Sequence, residues 1–288
     1  MATVKTPRFY VNALEWLSFN GEFPDMNEVF RTLPVKQTEF DTFITSMDIP
    51  YDLANPFCFL LGHSDLSGVA IKKGTSNIPA SSGIIINILS GANPKLNGWS
   101  LLELSDTPDQ VVIDSGSIGS IIIGSYFDMA HSPDLNLTLS YDYSGTKTIE
   151  TRGGASLSNS FYTKPPKWGE LGAWELGQPG TVQNLSRSGR RIWDLSFSYL
   201  SDSAIFPATL NLSTEADSDY EIDTLNTGTD DFYGQVIHRC GSLPFVFSPD
   251  NSSTALDNFA ICKFDSGFQF KQVANGVYNA KMKIREIW

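Results

Sequence analysis

Alternating apolar and polar residues near the end of the chain predict a half-buried β-strand. One face of such a strand would carry Tyr278, Ala280, Met282 and Ile284. The opposite face would carry Asn279, Lys281, Lys283 and Arg285. A period of two is the spacing of a strand that has one face on a core and the other in water. The pattern therefore predicts an inward apolar row and an outward basic row.

Similar patterns predict further strands along the chain. Short apolar runs predict strands at 57–61, 84–89, 99–104 and 121–127. Alternation predicts another at 135–143, and the Ser144-Gly145 turn predicts that it forms a hairpin with Thr146–Thr151. A last alternating row, again expected to face inward, consists of Trp193, Leu195, Phe197 and Tyr199.

One stretch between the predicted strands has the capping residues and the spacing of a helix. Thr229, Asp230 and Asp231 can cap a helix that runs to about Cys240, and Gly241 can end it. Phe232, Val236 and Cys240 recur at helical spacing. A short helical turn or an apolar hook is also expected around Leu14, Trp16 and Leu17. The predicted fold class is all-β with one helix, arranged as β-sandwiches.

Pro-rich and irregular stretches divide the chain into three predicted parts. Residues 1–50 are predicted to form an N-terminal arm that packs on the C-terminal domain or on a neighbour. Residues 51–180 are predicted to form a β-sandwich, and residues 181–288 are predicted to form a second β domain that contains the helix. Residues 152–185 look like the crossing between the two domains, with Trp168 and Trp174 as packing anchors, and residues 211–229 read as a flexible acidic excursion.

Charge and hydropathy narrow the classes of partner. The formal net charge is −12, so the chain has no basic surplus with which to neutralise a nucleic-acid backbone. The sequence contains no apolar run of 18 residues, so we expect no membrane span. The first eight residues lack the apolar core of a signal peptide, which favours folding in a reducing cytoplasm.

Candidate catalytic and metal-binding groups do not form a recognisable motif. Cys58, Cys240 and Cys262 lack metal-ligand spacing and are expected to be buried thiols, while His63, His131 and His238 are expected to be structural or surface residues. The acidic run at 215–223 has carboxylates that could bind Ca²⁺, but it lacks the residue pattern of an EF-hand loop. A solvated loop is therefore the favoured interpretation. We therefore predict no enzyme activity and no cofactor.

Two basic clusters stand out in this acidic chain as candidate oligomer contacts. Each copy would offer both signs of charge, as a head-to-tail ring contact requires. Solvated charge on a strand face is an equally good explanation. The residues predicted for the interface are Arg187, Arg190, Arg191, Lys281, Lys283 and Arg285.

Several stretches resemble structural proteins of tailed bacteriophages, and the C-terminal ones resemble the endings of tail-tip proteins. The resemblance covers about two-thirds of the chain and involves no catalytic motif. It lies in 125–137 (SYFDMAHSPDLNL), 150–159 (ETRGGASLSN), 187–202 (RSGRRIWDLSFSYLSD), 243–249 (LPFVFSP), 259–265 (FAICKFD) and 272–286, which begins QVANGVY.

The resemblance to distal tail proteins implies a specific architecture and assembly. It implies a tail-tube-like β-sandwich with a helix that closes into a ring, expected to be a hexamer, and a second, peripheral β-sandwich. The strand Ile118–Phe127, with Gly124 before Tyr126 and Phe127, makes the middle part similar to galactose-binding jelly-rolls. The implied partners are copies of the chain itself, the tail tube protein, and tail hub, tip or fibre proteins, within a virion assembled in the host cytoplasm.

Alternative functions remain open at this point. A receptor- or glycan-binding tail module would use a jelly-roll to bind carbohydrate, and would show exposed aromatic residues with Asp or Asn in one pocket. A capsid decoration protein or a head–tail connector would share the same structural character. A depolymerase would need paired carboxylates in a cleft, and the sequence shows no such pair.

Overall fold

The computed structural model describes most of the β-rich parts of the chain. The described residues are 5–19, 28–33, 38–40, 43–47, 49, 53–63, 69–78, 80–88, 99–113, 116–134, 138–142, 148–158, 190–206, 231–265 and 267–287. The acidic stretch 211–229, the anchors Trp168 and Trp174, and Arg187 lie outside these ranges.

The fold is all-β, with a few short helices. The strands are β1 (Arg8–Asn12), β2 (Thr38–Phe40), β3 (Phe43–Ser46), β4 (Pro56–Leu61), β5 (Val69–Lys73), β6 (Ser76–Asn77), β7 (Ala80–Ile88), β8 (Trp99–Leu104), β9 (Gln110–Ile113), β10 (Gly116–Ile118), β11 (Ser120–Asp128), β12 (Thr138–Asp142), β13 (Thr148–Glu150), β14 (Ser156–Ser158), β15 (Arg190–Ser201), β16 (Phe245–Ser248), β17 (Ala260–Phe264), β18 (Gln269–Ala274) and β19 (Val277–Glu286). The helices are α1 (Ala13–Phe19), α2 (Asp202–Ile205) and a π-helix (Tyr233–Ile237) that continues into α3 (His238–Cys240), with 3₁₀ turns at Glu28–Phe30 and Leu256–Asn258.

Eleven strands form one antiparallel sheet, here called the main sheet. Its order is β12-β15-β19-β17-β16-β1-β11-β4-β8-β7, and β18 pairs with β19 beside this path. A four-stranded sheet has the order β3-β9-β5-β6, and β2–β10 and β13–β14 form two-stranded sheets.

Strand β1 lies in the middle of the main sheet. It pairs with β16 on one side and with β11 on the other. Gly124 of β11 faces Asn12, and a Cβ atom at position 124 would lie 1.8 Å from the Val11 carbonyl oxygen. Only glycine allows the two backbones to approach this closely. Residues from the first, middle and last thirds of the chain therefore share one hydrogen-bonded sheet.

Three apolar clusters stabilise this arrangement. The helix-side core lies between the helical segment (Phe232, Val236, Cys240) and strands β1 and β15 to β19. The sheet-to-sheet core joins α1 and one face of β4 and β11 to β5 and β9 of the four-stranded sheet. The aromatic core occupies the other face of the main sheet and includes Tyr10, Phe57, Phe59, Trp99 and Phe259.

The main sheet curls strongly around the aromatic core. Trp99 of β8 lies with its ring centroid 5.5 Å from that of Phe259, which directly precedes β17. Four strands (β16, β1, β11 and β4) separate β8 from β17 in the sheet order. With adjacent strands about 4.8 Å apart, a flat sheet would hold these rings much further apart. The rings meet because the sheet wraps around them.

The predicted helix is confirmed, although its inner turn is of the π type. The backbone N–H of Gly234 donates to Oδ1 of Asp231 at 2.7 Å, so Asp231 caps the segment. Gly241 follows Cys240 with φ of +49°, a conformation that glycine adopts at little cost. The short helix α1 (Ala13–Phe19) confirms the helical alternative expected around Leu14, Trp16 and Leu17, whereas the turn α2 was not predicted.

The final strand confirms the predicted two faces. Ala280, Met282 and Ile284 are buried in the helix-side core, whereas Lys281 is exposed. The apolar strands predicted at 57–61, 84–89, 99–104 and 121–127 correspond to β4, β7, β8 and β11.

The predicted hairpin between 135–143 and Thr146–Thr151 is wrong. Strand β12 pairs with β15, whereas β13 pairs with β14. A Ser-Gly turn signal indicates a change of direction, but it does not determine which strand becomes the partner. The partner of β12 is instead the first half of β15, with Thr138 opposite Asp194 and Asp142 opposite Arg190.

The predicted inward position of Tyr199 is also wrong. Trp193, Leu195 and Phe197 are buried, but Tyr199 is 79% exposed and Leu200 takes the next inward position. The pairing of β15 with β19 shifts register between Phe197 and Leu200. This β-bulge adds a residue to one strand and reverses the faces that follow.

Candidate assembly surfaces

The two ends of the main sheet are its first candidate assembly surfaces. Strand β12 pairs only with β15, and β7 pairs only with β8, within the part of the chain that the structure describes. Each end therefore presents a row of backbone N–H and C=O groups of the kind that accepts a further strand. The nine residues of β7 include no charged residue and no proline, so β7 lacks the usual devices that block edge pairing.

A third edge lies beside the main path, at β18. This strand pairs with β19 and with no other described strand. Its last four residues, Lys271 to Ala274, are exposed. Its outer edge is therefore accessible from solvent along most of its length.

The predicted interface residues fall into two environments. Arg190 and Arg191 begin β15 and are partly buried, whereas Lys281, Lys283 and Arg285 lie on the outward face of β19. Lys283 Nζ lies 3.3 Å from Asp265 Oδ2, and Arg285 Nε lies 3.3 Å from Asp265 Oδ1. Contacts within one chain do not test whether these residues meet another copy, so their interface role stays a prediction.

Arg191 has internal partners that the sequence analysis missed. It donates to the Glu286 carboxylate through Nε at 3.0 Å and Nη2 at 2.9 Å, and its backbone N–H also donates to Glu286. It further donates to the carbonyl oxygens of Phe259 and Asp257. Glu286 is only 2% exposed, so this ion pair is desolvated and links β15, β19 and the segment before β17.

A signal for the Arg191–Glu286 pair is present in the sequence. Glu286 continues the inward row of Ala280, Met282 and Ile284, which puts a carboxylate on the core side of β19. A carboxylate at such a position requires a cationic partner. The partner could not be chosen from the pattern, because it lies 95 residues away in sequence.

A second, partly buried ionic group joins β1 to nearby strands of the main sheet. The Arg8 guanidinium donates from Nε and Nη2 to both oxygens of Asp128, each at 2.7 Å, and from Nη1 to Glu103 Oε1 at 2.6 Å. It also lies 4.0 Å from the ring centroid of Tyr126. Burial lowers the pKa of Arg8, but the hydrogen bonds to and negative charge of Asp128 and Tyr10 together outweigh burial, so its pKa is raised overall. The guanidinium therefore stays charged and serves to fix strand register.

A polar cluster within the fold positions α1. Asn12 Oδ1 accepts from the Glu15 backbone N–H at 3.3 Å, and Asn12 Nδ2 donates to the Phe30 carbonyl at 2.8 Å. Glu15 Oε2 accepts from the hydroxyl of Thr32 at 2.7 Å. These bonds tie the start of α1 to the 3₁₀ turn that precedes Thr32, and satisfy polar groups that would otherwise be costly to bury.

Nucleophiles and histidines are dispersed in the described structure. His63 is buried with Nε2 2.8 Å from the Ser100 hydroxyl, His131 lies beside the Ser132 carbonyl, and the ring of His238 packs against Trp16 at 5.6 Å. The three cysteines are free and buried, as predicted, and burial raises the pKa of each thiol. Among the described residues, no group of three or more His, Cys, Asp or Glu side chains is placed to hold a metal ion.

One cavity of about 230 Å³ lies between the main sheet and the four-stranded sheet. Its lining is mainly aliphatic, and Asn77 contributes an amide. Such a lining suits an apolar group better than a sugar ring, which needs several hydrogen-bonding partners. The residues that line it are Leu60, Val69, Ala70, Ile71, Asn77, Ile78, Leu102 and Leu104.

None of the helices in the described structure has both the length and the apolar character needed to cross a membrane.

Comparisons with known proteins identify no relative of this chain. Comparison with protein-family models, with curated proteins and with solved structures finds no match to this chain.

Proposed function

We propose that this chain is a structural subunit of a bacteriophage tail, a distal tail or baseplate protein whose copies form a ring that joins the tail tube to the tip. The observation that carries the proposal is the open main sheet, whose two end strands, β12 and β7, each pair on one side only within the described structure. An open sheet with two different free ends is suited to head-to-tail contacts between identical copies.

In the proposed ring, β12 of one copy pairs with β7 of the next. This contact is heterologous, because different strands meet, and it closes when the rotation between copies divides a full turn. Six copies are proposed from the resemblance to distal tail proteins. The long uncharged β7 edge, which would be a liability in a lone subunit, is then covered by its neighbour.

Two features of packing support the finer architecture that the proposal includes. A helical segment packed on β1 and β15 to β19 is compatible with a tail-tube-like β-sandwich. The sheet-to-sheet core, formed by residues such as Leu60, Ile123, Val111 and Ile71, is compatible with a second, jelly-roll-like sandwich. These two units would contact the tail tube protein and the hub, tip or fibre proteins in the virion.

The net charge agrees with this role. A ring that continues a tail tube must let DNA pass without binding it. A chain with a formal net charge of −12 repels the phosphate backbone at long range.

The ring contact can be tested by cysteine cross-linking, because all three native thiols are buried. The double variant Ser82→Cys/Ser140→Cys has one new thiol in β7 and one in β12. Under mild oxidation it should give a ladder of covalent oligomers, and native mass spectrometry of the unmodified protein should give six copies. A mixture of the two single variants should give dimers only, because each single variant has one of the two thiols.

The matched control is Ser82→Cys/Thr254→Cys, whose second thiol lies on an exposed turn away from both sheet ends. Under the same oxidation it should still form the ring but give only the monomer band on a denaturing gel, because the ring does not bring its two thiols together. A monomeric mass at all protein concentrations, together with no ladder from the β7/β12 pair, would exclude the ring. Cross-linking of Ser140→Cys alone would indicate a two-fold contact between β12 strands and would also overturn the proposal.

A further inference from the structure

The outward face of β18 and β19 concentrates positive charge in an otherwise acidic chain. Lys271 lies opposite Asn279, Lys281 opposite Gln269, and Lys263 opposite Arg285, so these side chains share one face of the sheet. With Lys283, this basic face holds five of the chain's 20 lysines and arginines. The formal net charge of the whole chain is −12.

Few carboxylates neutralise the basic face. Asp265 lies near both Lys283 and Arg285, and Asp194 of β15 lies opposite Lys283. Lys263, Lys271 and Lys281 are exposed and form no ion pair with another residue that the structure describes. Among the described residues, positive charge on the basic face therefore exceeds negative charge.

The same surface includes the free edge of β18. On its inner side β18 pairs with β19 from Gln269 to Ala274, and on its outer side it has no described partner. A free edge provides backbone donors and acceptors for an extended peptide, which adds as a further strand. Lys271 lies within this edge strand, so its charge would face the side chains of an added strand.

Tyr199 borders the basic face in a strained conformation. Its φ of +61° is unusual for a residue with a bulky side chain, and holding it there costs about 1–2 kcal/mol. Its N–H donates to Asn279 Oδ1 at 3.2 Å, which puts Tyr199, Asn279 and Lys271 in a row across three strands. The residue is 79% exposed, so burial within the chain does not offset the strain. The β-bulge between Phe197 and Leu200 accounts for this conformation, because a bulge takes residues out of ordinary strand geometry.

We infer that this surface binds an acidic, extended segment of a partner protein, which adds as a strand to the outer edge of β18. Carboxylates of the segment face Lys271 and Lys281. The contact is separate from the β7–β12 ring contact, because β18 lies beside the path of the main sheet.

A nucleic acid fits this surface less well than an acidic peptide. The strong negative charge of the whole chain repels a long polyanion, and Asp194 and Asp265 interrupt the basic face. A short peptide has few charges, and it can use the backbone groups of the β18 edge, which a phosphate backbone cannot pair with as a strand.

The test uses the full chain and three fluorescent peptides. Ac-(Thr-Glu)₅-NH₂ alternates β-prone and acidic residues, and Ac-(Thr-Gln)₅-NH₂ and Ac-(Thr-Lys)₅-NH₂ replace the acid. Fluorescence anisotropy should show that the glutamate peptide binds at least tenfold more tightly than either control, with an affinity that falls as salt is raised. The variant Lys271→Gln/Lys281→Gln should weaken this binding at least tenfold.

Two further variants separate recognition from folding. Lys72→Gln/Lys73→Gln makes the same change of charge in the four-stranded sheet, and it should leave binding within twofold of the native chain. Tyr199→Asn removes the ring but tolerates positive φ. Because Tyr199 lies three strand spacings from the added strand, this variant should leave binding within twofold of the native chain, while the thermal midpoint stays the same or rises.

Three results would overturn the inference. Equal binding of the glutamate and glutamine peptides would show that carboxylates are not recognised. Equal loss of binding in the Lys271/Lys281 and Lys72/Lys73 variants would show a general charge effect. Tighter binding of a 20-nucleotide single strand than of the glutamate peptide, with loss in the Lys271/Lys281 variant, would assign the surface to nucleic acid. None of these readouts depends on ring formation.

Discussion

At the scale of single residues, the ionic groups of this protein divide into those that hold strands together and those that face outward. Arg8 and Arg191 are partly buried and bind carboxylates with several hydrogen bonds. Lys271 and Lys281 are exposed and stand on the basic face. Burial therefore distinguishes these two arginines from these two lysines, although all four appear alike in the sequence.

The Arg191–Glu286 pair gives a prediction about stability. Arg191→Met or Glu286→Met alone leaves one buried charge without its partner and should cost about 3–5 kcal/mol in the free energy of unfolding. The double variant should lose much less than the sum of the two. Urea unfolding of all four proteins in a double-mutant cycle measures the coupling.

A matched comparison is the pair Lys283–Asp265, which is more exposed and has its nearest N–O distance at 3.3 Å. Lys283→Gln should cost only about 0–1 kcal/mol, because water screens the pair. If Arg191→Met unfolds with native stability, the structural role assigned to this arginine is wrong.

At the scale of elements, the turn between β16 and β17 is organised by Asp250. Its carboxylate accepts from the N–H and hydroxyl of Ser252 at 3.0 and 2.6 Å and lies 3.1 Å from Lys5 Nζ. Burial raises the pKa of Asp250, but the bonds from Ser252 and Lys5 outweigh it and hold the pKa below its ordinary 3.8. The turn thus joins the segment before β1 to the C-terminal strands.

This depressed pKa predicts a specific response to acid. The Asp250 carboxylate contributes stability that is fully present above its unfolded pKa near 3.8, and that is lost as the pH falls through the lower folded value. Asp250→Asn should lose about 1 kcal/mol at pH 7. Its stability should then fall less than that of the native chain on acidification below pH 3.8, as measured by urea unfolding across pH.

Asp106 provides the control for this prediction. Hydrogen bonds from Lys73 and Thr107 also lower its pKa, but its carboxylate is exposed on a turn. Asp106→Asn should therefore change stability little at any pH. An identical acid response in Asp250→Asn and the native chain would contradict the role given to Asp250.

At the scale of the whole molecule, β1 makes the main sheet a single hydrogen-bonded unit. It lies between β16 of the C-terminal part and β11 of the middle part, and Phe9 and Tyr10 enter the helix-side and aromatic cores on its opposite faces. The two predicted β domains are consequently joined by a strand from the first twelve residues of the chain.

Removal of residues 1–12 should therefore destabilise strands on both sides of β1. We expect loss of cooperative thermal unfolding and rapid proteolysis in both parts, because the sheet loses a central strand and the side chains of two cores. A synthetic peptide of residues 1–12, added in trans, should restore protection. Native stability of the truncated chain would refute a central role for β1.

The sequence by itself determined where several of the strands lie and which face of the clearly alternating strands is buried. The rows 278–284 and 193–197 were predictable because a strand's two faces impose a period of two on its residues. The helix ending at Gly241 was predictable because capping chemistry is local. All-β character follows from these local signals alone.

Only the tertiary structure decided which strands pair and where a β-bulge interrupts the alternation of inward and outward residues. The central place of β1, the pairing of β12 with β15, and the choice of Arg191 as partner of Glu286 join residues far apart in sequence. Tyr199 points outward because a bulge between Phe197 and Leu200 adds one residue to β15. Pairing and bulges depend on the packing of distant apolar surfaces, and the alternation within a single strand contains no information about them.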